Sequence, residues 1–113
     1  MRGPVHLNRK LVLEAADRQP DGAGGFSENW APVGVLWADI RAGIGRERAV
    51  TGVTLATVAY RVIVRAAPHG AASRPMAGQR FRDGARLFRI LAVSDGDGTA
   101  RYLECFTSEE VLS

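Results

Sequence analysis

Fourteen arginines, two histidines and one cysteine carry most of the chemistry this chain could perform. A nucleophilic triad would need His6 or His69 beside a Ser or Cys in a pocket. His6 stands near the N-terminus and His69 in a Pro-Gly stretch, so no catalytic residue is expected. Cys105 lies between Leu103 and Phe106 in an apolar strand pattern. As the single cysteine it permits no intrachain disulfide and no cysteine zinc site, and it reads as a small hydrophobe. Asp95-Gly96-Asp97-Gly98 resembles the start of a calcium loop, but Thr99 and Ala100 stand where an EF-hand requires an acid or amide and then Gly. Gly22-Ala23-Gly24-Gly25 lacks the Gly-Lys-Ser/Thr of a phosphate loop and precedes a strand pattern, not a helix. Both read as turns, and no metal or cofactor is expected.

Two arginine rows remain. Arg61 and Arg65 share one strand face, and Arg80 and Arg82 another. Such rows contact phosphate, or form a solvated outer face, or pair with Asp39, Glu47 or Glu104. The net charge of +3 with a pI near 9.7 is compatible with a nucleic-acid neighbour, yet no dense basic patch of the usual polyanion-binding kind is present. Trp30 and Trp37 could stack bases, but beside Pro32 they read as core anchors, together with Tyr60 and Phe88.

The elements that must position these residues are strands. Leu7–Ala16 alternates with period two, Arg18–Gly25 is a turn, and Phe26–Ala31 resumes the alternation. Pro32 cannot donate to a ladder and marks an end or a bulge. Val35–Arg41 is a third strand or a continuation of the second. Ala42–Thr54 holds Gly43, Gly45 and Gly52 and suits a long loop with one helical turn at most. Leu55–Arg65 is the clearest strand, and Ala66–Gly78 a second long loop. Asp83-Gly84 turns Gln79–Arg82 into Arg86–Ser94, and the Asp95–Gly98 turn leads to Thr99–Thr107. Ser108–Ser113 reads as a tail, with Ser108 placed to cap a short helix at Glu109-Glu110.

The chain is therefore expected to be one all-β domain, 1–113: an arm at 1–6, a small antiparallel β-barrel or sandwich of about six strands at 7–107, and the tail. Its length and its 46% hydrophobic content suit a single globular domain. No apolar segment follows Met1-Arg2-Gly3-Pro4 and no run reaches the roughly 18 residues of a membrane span, so a cytoplasmic protein or one assembled there is expected. In Arg86–Ser94, Phe88, Ile90 and Ala92 lie on one face and Leu87, Leu91 and Val93 on the other. Two apolar faces imply a second layer or subunit, or a short helix over the barrel wall.

In order, these elements resemble the phage head–tail connector family, the head–tail joining or head-closure proteins found also in gene transfer agents. The resemblance rests on the basic first strand Asn8–Leu13, the Asp21–Gly25 turn, and Phe26, Glu28 and Trp30. It continues through Val33, Trp37, Ala38 and Ile40, then Gly45-Arg46-Glu47, Tyr60–Arg65, Pro75-Met76, Phe88–Val93 and Tyr102–Cys105. It covers about residues 7–107, although Ala66–Gly78 is longer than typical and the basic residue after Pro-Met is delayed to Arg80. The resemblance implies a non-enzymatic structural protein at the head–tail interface of a virion or gene transfer agent particle. It implies a homo-oligomeric ring, expected as a hexamer, that closes the DNA channel. A portal or adaptor protein would sit above it and a tail terminator or tail tube protein below, with packaged DNA held non-specifically. Gly45, Arg46, Glu47 and Arg48 are the candidate channel-facing or subunit-contact loop. The alternative is an SH3-like or OB-like barrel that binds nucleic acid as a monomer, which requires aromatics between arginines on an exposed sheet face.

Overall fold

The computed structural model describes residues 4–50, 53–95 and 101–112, with side chains described outside 44–50, 53–56 and 110–112. Six strands, β1 (Arg9–Pro20), β2 (Phe26–Val50), β3 (Val53–Arg65), β4 (Arg80–Asp83), β5 (Arg86–Ser94) and β6 (Tyr102–Leu112), close into a barrel in the order β1-β2-β3-β6-β5-β4. All neighbouring pairs are antiparallel. Closure removes the exposed edges that an open sheet of this size would present.

Inward positions supply the core: Leu11 and Leu13 of β1, Ala38 of β2, Val62 and Val64 of β3, Phe81 of β4, Phe88 and Ile90 of β5, and Leu103 and Cys105 of β6 are all buried. Tyr60 packs edge-on against Phe88, with ring centroids 5.2 Å apart. Burial raises the Cys105 thiol pKa to about 12, reinforced by the neighbouring Glu104 charge, so the thiol is inert at neutral pH.

β2 is a single strand of 25 residues. Two register shifts divide it. At the first, Leu13 pairs with Gly34 and Glu14 with Pro32, leaving Val33 as an extra residue; Pro32 thus marks a bulge, as its missing N–H requires. Before this bulge β2 pairs with β1 in a hairpin arm. The arm turns where Asp21 Oδ1 accepts hydrogen bonds from the Ala23 and Gly25 amides and where Gly22 and Gly24 adopt φ of 80° and 86°. The second shift lies between Ala42 and Gly45, opposite Tyr60 to Val58. There Gly43 passes so close to β3 that an added Cβ would lie 3.0 Å from the Ala59 carbonyl oxygen.

Several expectations change. Ala42–Thr54 is not a long loop: its described part continues β2 and starts β3, with Arg46 opposite Thr57 and Arg48 opposite Leu55. Ladder pairing overrides the low strand propensity of Gly43 and Gly45. The 108–113 segment is not a helical tail, because β6 runs to Leu112 along β3 and pairs Glu109 with Val58. Val35–Arg41 continues the second strand. In β5 the expected faces hold up to Leu91. Leu91 is skipped by the pairing, which passes from Ile90–Thr107 to Ala92–Phe106, so beyond this bulge Val93 turns inward and Ala92 outward.

Ala66–Gly78 is a loop, and it is tethered. Pro75 is buried, Arg74 Nη1 donates to the Ala67 carbonyl at 2.7 Å, and Gly78 N donates to the Ile90 carbonyl at 3.0 Å. Gly96–Ala100 lies outside the described residues, although its flanking strands pair as a hairpin should.

Candidate functional site

With the interior filled, chemistry is left to the outer wall. Outward residues of β2, β3 and β6 form cross-strand rows: Asp39, Ile63 and Glu104 in one, Arg41, Arg61 and Phe106 in the next. Arg61 and Arg41 stand directly opposite, an arrangement of like charges that needs nearby carboxylates. Glu104 supplies one to Arg61 at 3.5 Å, and Asp39 Oδ2 accepts from Arg41 Nη2 at 3.0 Å and from the His6 amide at 3.1 Å. Burial tends to raise the Asp39 pKa, but the His6 amide and the Arg41 guanidinium outweigh it and hold the carboxyl below its usual range.

These rows floor and flank a groove of about 690 Å³. Gly43, Ala59 and Ile63 keep its floor low, Leu91 and Phe106 form an apolar wall, and Arg41 and Arg61 stand at the rim. The bulge in β5 sits at this wall: Leu91, outward by strand alternation after Ile90, is its extra residue and has 58% of its surface exposed.

A second polar node lies where β1, β4 and the hairpin arm meet. Glu14 is only 5% exposed, and its carboxylate accepts from Arg80 Nε at 2.7 Å and from Arg82 Nε at 2.8 Å. Burial pushes its pKa upward, but the hydrogen bonds and charges of the two guanidiniums prevail and hold it below the usual carboxylate range. The Arg80 guanidinium also lies 4.0 Å from the Trp30 ring centre. At the barrel mouth, Arg86 makes a bidentate pair with Glu109 at 2.9 and 3.0 Å and covers the Tyr60 and Phe88 rings. The Glu109 hydrogen bonds raise the Arg86 pKa further, so this charge is permanent.

The structure distributes the expected site residues unevenly. Phe88 is fully buried and Tyr60 packs against it. Trp30 is half-buried beneath Arg80, outside the barrel core. Trp37 corrects the sequence expectation: it is 55% exposed, on the outer face. Strand parity is the reason, because Leu36, Ala38 and Ile40 turn inward and leave Trp37 outside. The backbone of Gly45, Arg46, Glu47 and Arg48 is paired with β3, and their side chains lie outside the described residues. The arginine rows are mostly an ion-paired outer face: Glu14 takes Arg80 and Arg82, and Glu104 takes Arg61. Glu47, the third acid considered, is outside the described side chains. Sequence reasoning missed the Glu14 node and the groove. A lone acid within the apolar run 11–16 of β1 was a usable signal for the first; the groove depends on two bulges that leave no such mark.

A small barrel with this strand order and these outer rows can be compared with known proteins. The family model described as phage head completion protein matches residues 3–110. This chain belongs to the phage head completion protein family. Among solved structures, that of the "virion of native gene transfer agent (GTA) particle" contains a chain 54% identical to this one. The match covers 99% of this chain and 100% of that one, with a TM-score of 0.87. No curated protein sequence matches. For a head completion protein, an outer wall with a groove and exposed aromatics has an immediate physical sense: the barrel is a part made to be surrounded by other parts.

Proposed function

We infer that this head completion protein is a component of a phage-like or gene transfer agent particle, where copies form a ring below the portal. The ring closes the DNA channel after packaging and presents the surface on which the tail docks. The observation that carries this reading is the 54% identity, over 99% of the chain, to a chain in a gene transfer agent virion. The role is structural and includes no catalytic step. A portal or adaptor protein lies above the ring and a tail terminator or tail tube protein below, with DNA in the channel held through non-specific contacts. Assembly takes place in the bacterial cytoplasm and the product sits at the head–tail interface.

The end of the β2–β3 hairpin is proposed as the channel-facing or neighbour-contacting element, through Gly45, Arg46, Glu47 and Arg48. Its two arginines suit phosphate or a carboxylate across a subunit boundary.

One observation speaks for monomeric nucleic-acid binding: Trp37, Tyr102 and Phe106 lie outward among Arg61 and Arg65. Stacking requires open ring faces, however, and Arg61 lies 5.6 Å above Phe106 and Arg65 6.0 Å above Tyr102. Only Trp37 is left uncovered, too little for a stacking platform.

Particles assembled without the chain test the proposal. DNA-filled heads that leak and carry no tails, restored by supplying the chain, are the expected result. Tailed, DNA-tight particles in its absence would overturn the reading.

A further inference from the structure

We propose that the β1–β2 hairpin arm of one copy seats in the outer groove of the next, with Phe26 against Leu91 and Phe106 and the acidic arm against Arg41 and Arg61. This rests on the ring reading above and names the surfaces that would join its subunits.

The arm and the groove lie at opposite bulges of the same strand. The arm is β2 before the Val33 bulge, and the groove opens at the Gly43 bulge. A knob at one end and a hole at the other make a heterologous contact, the kind that propagates head to tail and closes into a ring.

Charge favours this occupant. Residues 15–30 carry Asp17, Asp21 and Glu28 against Arg18 alone, a net charge of −2 in a molecule of +3, so the remainder carries +5. The arm is thus acidic in a basic molecule; the other acidic stretch, residues 94–113, includes β6 and lies on the groove side of the contact. At the groove, Glu104 is buried beneath Arg61, whose side chain is 60% exposed, so a partner meets the guanidinium first.

Shape agrees. Phe26 is 61% exposed near the arm's tip, and Glu28 shares its strand face. An aromatic beside a carboxylate matches an apolar wall beside guanidiniums. The other exposed aromatic knob is Trp37, which pairs across strands with Lys10 and stands one position beyond the Ala38–Val64 pair, next to Arg65. Lys10 and Arg65 flank it with Asp39 on its strand face, whereas Phe26 has Arg18 alone over its ring and Glu28 on its face, so the arm brings the fewer cations to an arginine-rimmed groove.

The test places a benzophenone probe in the arm, Phe26→p-benzoylphenylalanine, in full-length chain carried by assembled particles, followed by irradiation and peptide mapping. Adducts of twice the chain mass are expected, joined to peptides holding residues 57–63, Leu91 or 104–108. Leu91→Asp, at an exposed position, should leave the thermal melt unchanged and cut those adducts at least tenfold. Adducts to a different virion protein, adducts outside the groove, monomer alone, or yields indifferent to Leu91→Asp each overturn the inference while leaving the chain's place in the particle standing. Absence of the chain from particles contradicts the proposed function instead. The same probe in the concentrated purified chain then decides the arm-and-groove contact by the same readout.

Discussion

Inside the barrel, Phe81 and Phe88 are fully buried among Leu, Val and Ile, and each buries its area by filling volume. Outside, aromatic rings are more numerous, five against three, and all but one of them sit near water beside a guanidinium; at the inner face only Tyr60 and Phe88 do so, under Arg86. Phe26 lies under Arg18, Trp30 under Arg80, Tyr102 near Arg65 and Phe106 near Arg61. Among the described residues, Trp37 is the outward aromatic without such a guanidinium cover. The inner face is built for the fold alone. The outer face keeps large apolar rings near water under charged lids, which limits non-specific association while preserving area for a partner. A chain that had only to fold would not need the second arrangement.

That difference can be broken by mutation, and the inner face should break first. Phe88→Ala removes a fully buried ring that also supports Tyr60 and lies under Arg86; a loss of about 3–5 kcal/mol is expected, read by denaturant or thermal unfolding. In a domain of this size such a loss removes much of the total stability.

The Glu14 node should come next. Glu14→Gln takes the shared carboxylate from Arg80 and Arg82, which are partly exposed and can rehydrate, so about 1–2 kcal/mol is expected. Its pH dependence has a fixed sign. The Glu14 and Asp39 pKa values are lowered in the folded state. Their stabilisation is therefore complete above the ordinary carboxylate range and is lost as pH falls through that range toward the folded values. The wild-type melting temperature should fall on acidification from neutral pH, and Glu14→Gln should fall less. An equal slope in both would remove Glu14 from the acid response.

Trp37 sharpens the contrast most. Exposed and uncovered, it should cost little stability when truncated: Trp37→Ala is expected within about 0.5 kcal/mol of wild type. A loss of several kcal/mol would place this ring in the core after all. Arg46→Glu with Arg48→Glu is expected to change the stability of the isolated fold by no more than about 1 kcal/mol, the usual scale of surface charge changes. On the proposed reading, particles carrying that double variant should nonetheless leak DNA or lack tails.

How much of this was legible without the structure follows from what strands write into sequence. Period-two alternation marked β1 and β3 and the clean half of β5, and Asp-Gly marked the β4–β5 turn, where Gly84 takes φ of 61°. Six strands and an antiparallel barrel followed from those signals. The bulges did not. Each inserts one residue and inverts the faces beyond it, so the outward Leu91 was assigned correctly but the inward Val93 was not. Glycines at 43 and 45 suggested a loop because propensity is local, whereas the ladder with β3 that holds them is not. Trp37 was misplaced by size overruling parity: Leu36, Ala38 and Ile40 already named the inner face. The groove was beyond sequence reading, since it needs Gly43, Leu91 and Phe106 from three strands brought together.

Electron cryomicroscopy of particles carrying this chain tests the account most directly, because the central claim is that its outer wall is an assembly surface. The account predicts a closed ring of copies at the head–tail junction, with Phe106, Leu91 and Phe26 covered by neighbouring copies and Trp37 by an adjoining protein. Copies present as isolated barrels with those side chains bare to solvent, or no copy at that junction, would contradict it.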